Sequence, residues 1–497
     1  MIFLKRIIKN CLVLPALIAA SSLVNTGSVS AQTFKPLYNF AAYGTATGGS
    51  PSANLTLSGR SLYGAITLGG GAADYGLIYG FNLDNSTFTN IYTFTSPVLI
   101  DSNTQWTNRD GAEPYSNLIL SGNSLYGVTE TAGPLDAGTV FKVNTDGTGF
   151  ADLNNFVNFP PNQLSDILYN SALIFTNNTL FGTSAFGGAS GNGTIFAGGT
   201  GGTGFTNLHT FTGGSDGANP IAGLISGTNF FGAALLGGSG SGTIFRMGTN
   251  GLGFKVLHSF TATSRSSPDN SDGARPLSLI LSGNTLYGAA TFGGPSANGT
   301  IFKLNTDGTG FTNLYYFSAS SGNSSYNGTN SEGANPEPGL VLVGNTLYGT
   351  AGTAGSFGHG TIFSLNTDGS GFTDLYTFSA GAFSFGNLTN SDGAYPFTGL
   401  ILSGNTLYGT TTSGGLLGTG TIFSFSLPSP PPLTINRSGT NLVLTWPTNA
   451  PGLVLQSTTN LFSAVWSTNT PAPTIVNGQN TVTNPISSGQ MFYRLGL

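Results

Sequence analysis

The sequence predicts an all-β protein: a seven-bladed β-propeller closed by an N-terminal strand and followed by a small β-sandwich. Three observations carry the prediction. Short motifs recur about seven times along the chain, each interval between them resolves into four short strands, and one copy of the last strand stands at the start of the array instead of its end. Blades arranged around an axis bury both faces of every sheet, and a strand taken from the far end of the chain closes the ring.

The first marker is Leu-Tyr-Gly or a variant, with its Gly at 64, 127, 182, 232, 288, 349 and 409. The second, Gly-Thr-Ile-Phe or a variant, begins at Gly138, Gly193, Gly242, Gly299, Gly360 and Gly420, with a degenerate first copy at Gly76. The third, Phe-x-x-Leu-x-x-Phe, starts at Phe88, with Ile91 for Leu, and at Phe150, Phe205, Phe254, Phe311 and Phe372. After Gly420 the third marker is missing, and its equivalent is Phe34 to Phe40 near the other end. An open solenoid has no use for that displacement. A closed ring does, because residues 33–40 can pair with residues 421–425 and cover an exposed edge.

Within one repeat, Leu279-Ile280-Leu281 reads as strand A, Thr285–Ala290 as strand B, Thr300–Leu304 as strand C and Phe311–Phe317 as strand D. Ser282-Gly283-Asn284 turns A into B, and Asn305-Thr306-Asp307-Gly308 is a hairpin turn between C and D. Consecutive apolar residues such as Leu-Ile-Leu suit a strand covered on both faces. The composition agrees, with 76 Gly, 36 Phe and only 33 charged side chains in 497 residues.

The ends read differently. Residues 1–31 have the pattern of a secretory leader, with Lys5, Arg6 and Lys9 before an apolar run and Val29-Ser30-Ala31 as a cleavage site. Export implies a secreted or cell-surface protein, and the apolar run is too short to span a membrane. The leader takes the lone Cys11 with it and moves the net charge from −5 to −8. Nucleic acid is thereby disfavoured as a partner, and a monomer without cofactor or metal is expected. Residues 32–427 form the propeller, 428–432 a Pro-rich linker, and 433–497 a module with alternating strands and two of the three Trp.

Leu-Tyr-Gly-Thr, the double Gly, Gly-Thr-Ile-Phe and Asn-Thr-Asp-Gly-Thr-Gly-Phe, in that order, resemble the GloVer tandem repeat of secreted "choice-of-anchor" bacterial proteins. The resemblance covers about residues 33–426 and is most specific over 299–317 and 360–378; Asn82–Phe88 depart from the turn motif. It implies an exported repeat protein joined to one of several C-terminal modules, and it supplies no catalytic residue. The tail, with Trp446-Pro447 and Phe492-Tyr493-Arg494-Leu495, is similar to a module common in secreted proteins, which implies a role in attachment or sorting.

Candidate chemistry is sparse. Five repeats are led in by Asp/Glu-Gly-Ala-x-Pro, at Asp110, Asp216, Asp272, Glu332 and Asp392. These acids could form a ring for cations or sugar hydroxyls, but their recurrence favours an Asx-type turn in the scaffold. Asp146, Asp307 and Asp368 are read as hairpin-turn residues, and His209 and His258 as packing residues in the slot held elsewhere by Tyr315 and Tyr376. Acids outside the pattern are the better candidates: Asp74, Asp101, Glu113, Glu130, Asp136, Asp166, Asp269 and Glu337. Of these, Glu130 and Asp136 share one loop and form the candidate catalytic or cation pair. The expected function is non-enzymatic binding of an extracellular polysaccharide or protein. It is placed on the face of the variable D-to-A connections, where Trp106, Tyr326 and Phe383 are the candidate contacts. The alternative is a secreted carbohydrate-active hydrolase or lyase using paired carboxylates.

Overall fold

The computed structural model describes residues 32–71, 74–99, 106–115, 117–156, 173–221, 225–226, 229–263, 268–321, 328–384, 387–428, 433–448, 454–459, 467–468, 471–486 and 491–496. The leader, residues 429–432, Asp101, Asp166 and Tyr326 lie outside them. Every regular element among the described residues is a strand. The chain divides into two compact units, one of Gln32–Pro428 and one containing Ser429–Leu497.

The first unit is a succession of seven antiparallel sheets of four or five strands. In the fifth, Ala274–Ser282, Thr285–Phe292, Thr300–Asn305 and Thr312–Tyr316 lie side by side in chain order. Strand A is longer than the sequence suggests, because the lead-in Ala-x-Pro also pairs with strand B, joined by a bulge between Pro276 and Ser278. Elsewhere the two parts are separate strands, as where Ala334–Pro336 and Val341–Val343 both pair with Thr346–Thr353. The seventh sheet takes its outer strand from the chain's start: Thr33–Asn39 runs antiparallel to Thr421–Ser426, from Thr33 opposite Ser426 to Asn39 opposite Thr421.

The markers have packing reasons. Gly288 of Leu-Tyr-Gly stands opposite Phe302 of Gly-Thr-Ile-Phe, and a Cβ there would collide with the Phe302 ring. The same holds for Gly127 with Phe141, Gly349 with Phe363 and Gly409 with Phe423. Each sheet is covered on both faces, so neighbouring residues serve different cores. Leu279 joins a cluster with Phe231, Ile244 and Phe260 of the fourth sheet, while Ile280 packs with Leu340, Leu347 and Phe363 of the sixth. Seven such clusters lie between consecutive sheets; one joins Phe40, Tyr408 and Ile422 to Leu55, Leu62 and Tyr79, that is, the seventh sheet to the first.

Two joints repeat between sheets. Strand D offers a stacking pair: His258 lies on Phe311 at 3.7 Å, Tyr315 on Phe372 at 4.0 Å and Tyr376 on Phe34 at 4.0 Å. His209 and His258 therefore do occupy the tyrosine slot. Nearer strand A, the Pro of each lead-in lies against the first Gly of the preceding Gly-Thr-Ile-Phe. A side chain on Gly242, Gly299 or Gly360 would strike Pro276, Pro336 or Pro396, and Gly420 stands in the same relation to Pro51.

In the second unit, Thr434–Ser438, Asn441–Pro447, Gln479–Pro485 and Thr474–Val476 form one sheet, and Ser467–Thr468, Val454–Thr458 and Phe492–Gly496 another. Leu444, Trp446 and Val482 of the first meet Leu455, Tyr493 and Leu495 of the second in a small core.

Candidate functional site

The lead-in acids bond backward along the chain, not into their own turn. Asp392 accepts from Tyr376 Oη at 2.6 Å, from Ser379 N at 2.9 Å and from Ser379 Oγ, all at the end of the preceding strand D. Asp110 does the same with Tyr92 and Thr95. Asp272 takes His258 Nε2 at 3.0 Å and Thr261 N at 3.0 Å. Burial opposes its ionisation, but the bonds from His258 and Thr261 outweigh that and hold its carboxyl below the usual range. His209 Nε2 stands farther off, 3.4 Å from Asp216, and burial lowers the His209 pKa against the pull of that carboxylate.

The Asx-type role expected of these acids falls instead to an Asn two residues earlier. Asn330 Oδ1 accepts from Gly333 N at 2.7 Å and Gly355 N at 3.1 Å, while its amide donates to Ser318 O and Gly333 O. Asn108, Asn270 and Asn390 repeat the arrangement. Such a side chain can satisfy both sides of a turn at once, which explains its recurrence. Asp146, Asp307 and Asp368 close hairpin turns as expected, each accepting from the backbone N–H two residues on.

The x of each lead-in is the unusual position. Glu113, Asn219, Arg275, Asn335 and Tyr395 all have φ between 53° and 57°. That left-handed conformation costs most non-glycine residues about 1 kcal/mol or more, and only Asn tolerates it well. Each x backbone N–H donates to the residue just before the preceding Gly-Thr-Ile-Phe, as Arg275 N does to Ser241 O at 2.9 Å. The backbone is thus fixed while the side chain varies.

These turns surround a cavity of about 500 Å³. Four positions per repeat build most of it: the residue before the lead-in Pro (Glu113, Arg275, Asn335), the residue after it (Tyr115, Leu277, Glu337, Phe397), the residue three past the Gly of Leu-Tyr-Gly (Thr67, Leu235, Thr291, Thr412) and the next one (Leu68, Phe292, Thr353). All lie where strand A begins or strand B ends, so the cavity belongs to the side of the D-to-A and B-to-C connections.

Its charged groups differ from those of the joints. Glu337 is 8% exposed and has no hydrogen-bond partner for its carboxyl among the described residues, and burial raises its pKa well above the ordinary carboxyl value. Its Oε1 lies in the space that a side chain at Gly352 would fill. Arg275 places its guanidinium over the Phe292 ring, 5.1 Å from the centroid. Glu130 holds the position equivalent to Thr67 and Thr291 in the second sheet, its Oε2 buried without a partner. Burial first, and the neighbouring Glu113 second, raise the Glu130 pKa to about 8; burial also raises Glu113, which has the Thr131 hydroxyl beside it.

Glu130 therefore has Glu113 as its charged neighbour, whereas Asp136 is paired with the backbone of Trp106. Trp106 sits on a two-stranded ribbon, Val98–Leu99 with Trp106–Thr107, and is 47% exposed; Phe383 sits on another, Ala382–Ser384 with Asn387–Thr389, and is 76% exposed. Neither lines the cavity. Arg275 was not among the residues the sequence singled out. The signal that marks it is a variable side chain between invariant neighbours in a repeated turn.

Solved structures similar to the chain include an oligogalacturonate lyase from Vibrio parahaemolyticus, at 11% identity and a TM-score of 0.46 over 81% of this chain and 96% of that one. An oligogalacturonate lyase in complex with manganese matches at 10% and 0.44 over 80% and 97%. A Mycobacterium tuberculosis puromycin-hydrolyzing peptidase matches at 10% and 0.46 over 82% of this chain and 61% of that one. No curated protein matches the sequence. The Gloeobacter/Verrucomicrobia repeat matches residues 98–276, 159–331 and 266–436 in tandem, more than half of the sequence, and the chain belongs to that repeat family.

Proposed function

We propose that this is an exported, non-enzymatic binding protein whose residues 32–427 close as a seven-bladed β-propeller and whose cavity takes the end of an extracellular polysaccharide. The leader 1–31 directs export, the linker 428–432 separates the propeller from the module 433–497, and that module attaches or sorts the protein. Closure is supported by the pairing of Thr33–Asn39 with Thr421–Ser426 and by the cluster joining the seventh sheet to the first. Deleting Thr33–Ala41 should strip the edge of Thr421–Ser426 and strongly lower the melting temperature. A deletion variant as stable as the parent would overturn the closed ring.

The observation that carries the binding reading is the cavity itself. It is of the size that small ligands occupy, with apolar walls and a few convergent polar groups. Glu337 among them has no hydrogen-bond partner for its carboxyl among the described residues, as a ligand-facing group would. Trp106 and Phe383, on connections of the same side, extend the surface for a longer chain. A glycan array probed with the full mature chain, followed by calorimetry on the hits, should give binding that is lost on Glu337→Leu; binding indifferent to that change would move the site elsewhere.

A second reading, a hydrolase or lyase, is favoured by one observation: Glu130 and Glu113 are neighbouring carboxyls, and Glu130 keeps its proton to about pH 8. A general acid needs such a group. The reading expects cleavage of the same polysaccharides, abolished by Glu130→Gln; binding without product release on prolonged incubation excludes it.

A further inference from the structure

The cavity has an electrostatic bias. Among its described lining residues Arg275 is the cationic side chain, and Glu113 and Glu337 are the acidic ones. In a small enclosed space an arginine and a glutamate ordinarily pair, yet no carboxylate lies within 4.0 Å of the Arg275 guanidinium among the described residues. Its sister residues behave otherwise: the Asn219 amide donates to Ala185 O at 3.0 Å and the Asn335 amide to Thr291 O at 3.0 Å. Those side chains complete the joint between sheets. Arg275 takes the same left-handed backbone, at φ 55°, without the conformational ease of Asn and without a side-chain hydrogen bond among the described residues. The joint does not need an arginine there.

The guanidinium carbon lies over the Phe292 ring, and its N–H groups have no hydrogen-bond partner among the described residues. A planar fork of donors with an open edge fits a carboxylate. Glu337 offers a complementary surface: a buried carboxyl, without a partner among the described residues, that donates and accepts when it holds its proton, as sugar hydroxyls do. Leu277, Phe292 and Phe397 supply the apolar faces between them.

We propose that the cavity is selective for a hydroxylated carboxylate, the chemistry of a uronic or hydroxy-acid residue, with the carboxylate held by Arg275 and a hydroxyl by Glu337. The proposal rests on the binding reading of the cavity and adds the ligand's charge. An amine would bring a second cation beside the Arg275 guanidinium, and a neutral sugar would leave that guanidinium without an anion within 4.0 Å.

The test is calorimetric titration of the full mature chain with glucuronate, glucuronamide, glucose and glucosamine. Glucuronate should bind at least about tenfold more tightly than glucuronamide, the difference of a charge-assisted bond. Arg275→Gln should erase that preference at an unchanged melting temperature, and Arg275→Lys should restore part of it. Glu337→Gln, which keeps a donor and an acceptor, should retain it, whereas Glu337→Leu should weaken glucuronate and glucose alike. Glucose or glucosamine binding as tightly as glucuronate, or a preference that survives Arg275→Gln, overturns the proposal and leaves the binding reading standing. Binding of none of the four, together with none of the arrayed glycans, overturns both.

Discussion

Two sets of carboxyls lie a few residues apart in this chain, and they are built in opposite ways. Asp110, Asp272 and Asp392 begin the lead-in turns and are surrounded by donors: a Tyr or His side chain, a backbone N–H and a hydroxyl. Glu113 and Glu337 line the cavity and Glu130 lies opposite Glu113 on the neighbouring strand, and burial raises the pKa of each. The first set recurs with the repeat and holds sheet to sheet. The second set occurs once each, at positions where the sister repeats place other residues: Asn, Arg or Tyr for Glu113, Thr, Leu, Ala or Gly for Glu130, and Tyr, Ile, Leu or Phe for Glu337. In a repeat protein, then, an acid that recurs belongs to the scaffold, and an acid that does not recur is available for a ligand.

Removing a scaffold acid should have the largest effect. Asp392→Ala leaves the Tyr376 hydroxyl and the Ser379 N–H without their acceptor at a buried site, which costs about 2–4 kcal/mol. Thermal unfolding should show a clear drop in melting temperature, while any ligand affinity measured on the remaining folded protein stays unchanged. Equal losses of stability from Asp392→Ala and Glu337→Ala would erase the distinction between the two sets.

The next effect is on pH dependence. Glu130 keeps its proton to about pH 8 in the folded chain, against an ordinary value of 4.5. The folded state therefore binds more protons than the unfolded one between those values, so stability falls as pH rises through that window and is fully present below it. Glu113 and Glu337, raised in the same direction, add to the slope. Between pH 5 and pH 8 the melting temperature should fall by a few degrees, and Glu130→Gln, neutral at every pH, should flatten the curve and be the more stable form at pH 8. An unchanged slope in the variant would mean that Glu130 ionises freely.

What the sequence disclosed follows the same division. The markers, the four strands, and the pairing of residues 33–40 with 421–425 could be read because Gly opposite Phe and Phe on Tyr are local requirements, repeated often enough to be counted. The tandem repeat was recognisable for the same reason. The role of Asn108, Asn270, Asn330 and Asn390 was missed, since an Asn two residues before an acid looks like ordinary turn composition. Arg275 was missed for a different reason: its distinction is the absence of a partner, which needs three dimensions to see. Glu130 was singled out, but with Asp136 as its partner from nearness in sequence. The lead-in Ala112–Pro114 pairs with the end of Glu130's strand, Thr129 opposite Pro114 and Thr131 opposite Ala112, so Glu113, from another segment, is its charged neighbour.

The exposed ribbons give a smaller expectation. Trp106 and Phe383 each belong to a two-stranded excursion, and neither contributes to the buried clusters. Replacing both with Ala should leave the melting temperature where it was. If a polysaccharide runs outward from the cavity, the double variant should weaken a long chain several-fold and leave a mono- or disaccharide untouched, because stacking on an exposed ring contributes about 1 kcal/mol. Equal weakening of short and long ligands would place these rings in the cavity's own binding set.

The smallest effect belongs to Asp307. Its carboxylate accepts from Thr309 N at 2.8 Å and Thr309 Oγ1 at 2.7 Å, and those bonds hold its pKa below the ordinary value, but the Asp307 side chain is exposed to water. Water can replace the carboxylate as acceptor, so the carboxylate is dispensable where Asp392 is not. Gly308, with φ at 93°, carries the conformational demand of that turn and lies against Leu257 of the neighbouring sheet. Asp307→Ala should unfold at nearly the parent's temperature with unchanged binding, whereas Gly308→Ala should destabilise the protein clearly. If the order were reversed, the side-chain bond and not the backbone conformation would be what the repeat preserves at this turn.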